Sequence, residues 1–326
     1  MILLNENLTG VSWGEKMNNC LLDLIGNTPV VEIKRLNKNK NVSIFAKLES
    51  ANPGGSIKDR IAKHMIEKAE ESGGLTREKI VLEATSGNTG IGLALVCSLK
   101  GYRLHIVMPE TMSLERQQIL TAFGAELLLT DGCKGMPGAI EMADQLSEDP
   151  KYFLINQFGN PSNPLAHYET TARELLAQVA PIDVFVAGIG TGGTLMGVGR
   201  RFKEESPHTK IIGVEPYPNS KIQGLRNLSE GYVPPIFDFN LIHDKVNISD
   251  DDAYDTAKDL ARYEGLLCGI SSGAVVAEAL RRAERMKEGN IVVILADGGE
   301  KYLSTDLYTC SYHRTCDPKS TATCKA

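Results

Sequence analysis

No apolar run in this chain approaches the ~18 residues that a membrane-spanning helix needs, so the sequence offers no transmembrane helix. An excess of positive charge is missing too. The formal net charge is −6, from 35 Lys+Arg against 41 Asp+Glu, which argues against a nucleic-acid or anionic-membrane partner. Residues 1–10 lack the basic and apolar regions of a secretory signal, which makes the cytoplasm the expected location. Repeats and low-complexity tracts do not stand out. The cysteines outline no disulfide framework: Cys20, Cys97, Cys133 and Cys268 are scattered and read as reduced, buried thiols. Cys310, His313, Cys316 and Cys324 share a polar tail whose ligand types suit zinc. Their spacing matches none of the usual structural sites, so no metal is expected.

What the chain does have is alternation. At 326 residues it suits two domains. Strand-like runs at 44–48, 80–83, 103–108, 126–130, 152–156, 184–187, 210–215 and 291–295 follow a first strand through Val31 and Ile33. Helical patterns lie between them, at 61–71, 89–100, 114–123, 136–146, 163–179, 193–205, 251–264 and 273–287. Ile291-Val292-Val293-Ile294-Leu295 is apolar without alternation, as a parallel strand covered on both faces would be. The predicted class is therefore α/β, with doubly wound αβα domains and ligands at the carboxyl ends of the strands. The stretch 215–244 is rich in Pro, Asn and Gly and is expected to be a long functional loop.

One loop organises the rest. Asn52-Pro53-Gly54-Gly55-Ser56-Ile57-Lys58-Asp59-Arg60 joins a strand to a helix and puts Lys58 into the first helical turn. That end of a helix carries partial positive charge, which disfavours an ammonium and lowers its pKa. The bland alternative is a solvated lysine beside Asp59. Three further strand-to-helix loops bear on the choice. Thr85-Ser86-Gly87-Asn88-Thr89-Gly90 offers amides and hydroxyls to a carboxylate. Gly190-Thr191-Gly192-Gly193-Thr194 suits a phosphate, and Gly269-Ile270-Ser271-Ser272-Gly273 adds hydroxyls. Gly188, Gly190 and Gly193 also match G-x-G-x-x-G, with Glu215 at the end of the next strand. This supplies a rival reading as a nicotinamide-dependent dehydrogenase. A dehydrogenase needs one such loop and no lysine; a pyridoxal 5′-phosphate (PLP) enzyme needs all of them.

These loops, with Met108-Pro109-Glu110-Thr111-Met112-Ser113, Gln157-Phe158-Gly159-Asn160-Pro161 and Lys301-Tyr302-Leu303-Ser304-Thr305, carry a resemblance over residues 21–305. The chain resembles the cysteine synthase / cystathionine β-synthase family of fold-type II PLP enzymes. The resemblance implies that Lys58 carries PLP and then acts as base at Cα. It implies that Asn88 contacts the cofactor's 3′-oxygen, that Gly190, Thr191, Gly192, Gly193 and Thr194 hold its phosphate, and that Ser271 faces the pyridine nitrogen. Thr85, Ser86, Thr89 and Gln157 would bind the substrate carboxylate. The implied reaction is β-replacement: an O-activated L-serine loses its leaving group to give an aminoacrylate, and a sulfur nucleophile adds to form cysteine. The implied domains are 1–46 plus 156–310, a smaller mobile unit at 47–155, and a tail at 311–326. A homodimer is implied as well, with a sulfur-carrier protein or a serine acetyltransferase as candidate protein partners.

The donor is read from Gly224-Leu225-Arg226-Asn227-Leu228-Ser229-Glu230-Gly231-Tyr232-Val233-Pro234, which is similar to the O-phosphoserine-accepting subgroup. There Arg226 would bind the substrate phosphate bidentately, unless Glu230 neutralises it. O-Acetylserine is the next donor in line. Cystathionine β-synthase-type condensation, a serine dehydratase and an inert PLP-fold binding protein stay open at this point.

Overall fold

The computed structural model describes residues 20–308 except 113 and 231. The tail residues Cys310, His313, Cys316 and Cys324 therefore lie outside the described residues, as do residues 1–10. The strands are β1 (Val30–Ile33), β2 (Val42–Leu48), β3 (Ile80–Ala84), β4 (Arg103–Pro109), β5 (Glu126–Thr130), β6 (Tyr152–Leu154), β7 (Val184–Gly188), β8 (Lys210–Pro216), β9 (Asp244–Ile248) and β10 (Gly289–Leu295). The helices are α1 (Lys58–Glu71), α2 (Asn88–Lys100), α3 (Leu114–Ala122), α4 (Gly135–Ser147), α5 (Ser162–Ala166), α6 (Ala172–Gln178), α7 (Gly193–Glu205), α8 (Asp250–Asp259) and α9 (Ile270–Arg285). A π turn, His167–Thr171, joins α5 to α6.

The strands form two sheets, ordered β1-β2-β10-β7-β8-β9 and β5-β4-β3-β6. Every pairing is parallel except β1 with β2. The apolar run of β10 explains its central place. Ile291, Val293 and Leu295 pack toward the α8–α9 side, while Val292 and Ile294 pack toward Leu175, Leu195 and Phe202 of α6 and α7. Covered on both faces, it cannot alternate apolar with polar residues. The smaller sheet repeats the plan. Val81 and Ile106 face α1 and α2, and Leu82 and Val107 face Ala139 and Ala143 of α4. Both halves are three-layer αβα.

The long loop expected at 215–244 runs from the end of β8 to β9, with two 3-10 turns inside it. Three expectations change. The edge strand β9 was not expected, since no strand was read between β8 and β10. Its sequence, Asp244-Lys245-Val246-Asn247-Ile248, has too few apolar residues to register as a buried strand. Cys20 and Cys133 are exposed, and only Cys97 and Cys268 are buried. Finally, β2 continues through Leu48 and pairs with β10 to that residue, so it crosses position 46/47. Among the described residues no helix is long and apolar enough to cross a membrane.

Candidate active site

A cavity of about 430 Å3 opens where loops at the carboxyl ends of both sheets converge. Lys58, Thr85, Ser86, Asn88, Thr89, Gln157, Gly190, Thr191, Gly192, Gly193, Thr194, Arg226 and Ser271 all line it. Most of these positions meet there because they lie in segments that follow a strand of one sheet or the other. Ser271 is the exception: residues 269–273 were expected to join a strand to a helix, but they follow the helical segment 250–264.

Lys58 opens α1, and the loop before it is tied to the neighbouring strand by Ile57 N donating to Ala296 O at 2.8 Å. The bland reading fails on Asp59. That carboxylate is buried and turns back to accept from Gly54 N at 2.5 Å; burial raises its pKa to about 6. The Lys58 amine is held below its ordinary value, chiefly by burial and against the attraction of Asp297 and Glu49.

The loop at residues 85–90 is backed by a buried relay. Thr89 Oγ1 donates to Gln157 Oε1 at 2.6 Å, and Gln157 Nε2 donates to Glu83 Oε1 at 3.1 Å. Glu83 is pushed up to about 8 by burial. Asn88 is held at both ends of its amide: Nδ2 donates to Asp297 Oδ2 at 2.7 Å, and Oδ1 accepts from Lys301 Nζ at 3.0 Å. Tyr302 Oη also donates to Asp297 Oδ2, at 2.8 Å. Burial raises the Asp297 pKa against these donors, and its other oxygen has no hydrogen-bond partner among the described residues.

The loop before α7 is shaped for close approach. Gly192 has φ +86°, and a Cβ on Gly193 would fall 1.9 Å from Asn163 Oδ1, so the backbone can lie there only without side chains. Glu215, the acidic group of the dinucleotide reading, is not free for a ribose. It is buried, accepts from Leu228 N at 3.0 Å and pairs with Lys245. Arg226 stands half-buried with its guanidinium 4.5 Å from the Phe158 ring centroid and 5.6 Å from that of Tyr232. Glu230 does not neutralise it. That residue is exposed and accepts from Asn219 N at 2.9 Å.

Asp297, Tyr302 and Arg116 line the same cavity and were not expected to. Asp297 had a signal: an acidic residue just past the end of an apolar central strand sits where α/β sheets deliver their functional groups. Arg116, in the first turn of α3, had none.

A family model described as pyridoxal-phosphate dependent enzyme matches residues 21–297. A cysteine synthase of Staphylococcus aureus strain Mu50 is 44% identical over 299 residues, covering 89% of this chain and 96% of that protein. The chain belongs to the cysteine synthase family of fold-type II PLP enzymes. Two solved structures agree. O-acetyl serine sulfhydrylase isoform 3 from Entamoeba histolytica superposes with a TM-score of 0.87 at 40% identity, covering 95% of this chain and 96% of that one. An O-acetylserine dependent cystathionine beta-synthase from Helicobacter pylori gives 0.84 at 38%, covering 90% and 100%.

The residues present fit the cofactor of this family. A desolvated amine, a side-chain-free loop opening a helix, and the hydroxyl residues Thr191, Thr194 and Ser271 all line one cavity. When bound, PLP supplies an electron sink for the bond-breaking at the amino acid's Cα and Cβ.

Proposed function

We propose that this enzyme forms L-cysteine by β-replacement on O-phospho-L-serine with a sulfur nucleophile. The supporting observation is Arg226. It is a guanidinium on the cavity wall, beside two aromatic rings, and among the described residues no carboxylate pairs with it. A half-buried arginine without a counter-ion favours a dianionic leaving group over a neutral ester. Lys58 is read as the cofactor-bearing amine and the group that moves the Cα proton. Thr85, Ser86, Thr89 and Gln157 orient the substrate carboxylate, with Gln157 steadied by Glu83. Asn88 positions the cofactor ring, Gly190 to Thr194 hold its phosphate, and Ser271, in the first turn of α9, meets its nitrogen. The unit built on β3–β6 is read as the mobile one, closing on substrate to exclude water.

O-Acetyl-L-serine is the second reading, favoured by the names of both structural relatives above. Arg226→Ala separates the two. We expect it to lower kcat/KM for O-phospho-L-serine by on the order of 2–4 kcal/mol while changing that for O-acetyl-L-serine little. Equal losses with both donors would remove Arg226 from donor choice and leave O-acetyl-L-serine as the reading.

A further inference from the structure

Two side chains behind the Gly190–Thr194 loop have no role in the chemistry so far. Asn163 lies in α5, and His167 follows four residues later at the start of the π turn, so both project from one side of that segment. They are 0% and 1% exposed. Asn163 Nδ2 donates to the Gln157 carbonyl at 2.7 Å and to Thr191 Oγ1 at 3.0 Å. A backbone carbonyl can only accept, so the nitrogen of that amide, not its oxygen, faces Thr191. The Gly193 N–H points at the same hydroxyl oxygen, at 3.3 Å. With two donors on its lone pairs, Thr191 has its own proton left to give. On the other side of the loop, His167 Nε2 is 3.3 Å from Thr194 Oγ1, and its Nδ1 is 2.9 Å from Thr171 Oγ1.

We propose that Asn163 and His167 are positioning residues that donate to Thr191 and Thr194 from behind, aiming both threonine protons at the cofactor phosphate. The reason lies in the hydroxyl itself, which donates and accepts equally well, whereas a phosphate dianion only accepts. A threonine free to rotate presents a lone pair to that anion in some of its rotamers. The two donors at Thr191 remove those rotamers, and the one behind Thr194 removes the rotamer that would turn its proton away toward His167. For His167 the arrangement requires the Nε2–H tautomer, with the Thr171 hydroxyl donating to Nδ1. The imidazole stays neutral, because burial, reinforced by the cations of Lys58 and Arg60, holds its pKa well below the ordinary value.

The inference rests on reading 190–194 as the phosphate-binding loop, and the experiment keeps the two apart. Apoprotein is titrated with PLP and with pyridoxal, which lacks the phosphate. The variants are Asn163→Ala, Thr191→Val and their double, then His167→Leu, Thr194→Val and their double. Asn163→Ala and His167→Leu should each weaken PLP binding about 10-fold and leave pyridoxal binding nearly unchanged. Each double variant should bind PLP no worse than its threonine single, because each pair acts through one hydroxyl. Nitrogen NMR of the holoenzyme should find the His167 proton on Nε2. Wild type that binds both ligands equally would overturn the loop reading itself. Wild type that prefers PLP, with losses that are absent, additive or equal for both ligands, would overturn the positioning role alone. So would a proton on Nδ1.

Discussion

At the scale of single residues, burial does more to set the chemistry than charge does. Lys58 is legible in the sequence through its loop, but the cause of its lowered pKa is not, since desolvation depends on residues far along the chain. Glu83 shows the same gap. In sequence it is an acidic residue ending a strand; in the structure it is buried behind Gln157 and titrates at about 8, against an ordinary 4.5. The native state then holds a proton that the unfolded chain has released between those values. Glu83 therefore costs stability progressively as pH rises from 4.5 to 8, and the loss levels off above. Glu83→Gln keeps an acceptor for Gln157 and removes the titration. Its stability relative to wild type should rise by an amount on the order of a few kcal/mol between pH 5 and 8, read by urea unfolding. A difference independent of pH would contradict a buried, protonated Glu83.

At the scale of elements, α1 is fastened by a buried ionic knot whose residues do not line the cavity. Arg60 Nε donates to Glu49 Oε2 at 2.7 Å, and its two terminal nitrogens reach both oxygens of Glu174, at 2.6 and 2.8 Å. Lys47, fully buried in β2, pairs with the same Glu174 at 2.7 Å. Burial alone would raise the Glu174 pKa, but Arg60 and Lys47 bring it down to about 2. The knot joins β2, α1 and α6 one residue after Asp59, so it holds the start of α1 in register with the cavity. Arg60→Met strands the fully buried Glu49 carboxylate and leaves Glu174 with Lys47 alone, and should cost about 3–5 kcal/mol in chemical denaturation. A loss under ~1 kcal/mol would show the knot to be dispensable. Helices and central strands were legible because their apolar patterns are strong. The edge strand β9 was not, because an edge strand with one paired side needs little apolar sequence to exist.

At the scale of the molecule, the site belongs to neither sheet alone. Asn88 follows β3 of the smaller sheet, yet it is held by Asp297 and Lys301 after β10 of the larger one. Arg116 of α3 makes a second tie, donating across the cavity to Gln223 in the loop after β8. Arg116→Ala should release α3 from the larger half. Hydrogen exchange should then quicken across Leu114–Ala122 while β10, buried on both faces, keeps its protection. Unchanged exchange in α3 would show that the contact does not tie the halves together.

The chain's local chemistry determined the α/β class, the helix-start lysine and the loops of glycine and hydroxyl residues, because turn residues and apolar periodicity act over a few positions. Only the tertiary structure decided which distant groups meet them. Asp297 and Lys301 grip Asn88, Glu83 lies behind Gln157, and Asn163 and His167 stand behind the threonines. The physical reason is that desolvation and hydrogen-bond direction belong to the packed interior, and no stretch of sequence specifies the neighbours that fill it.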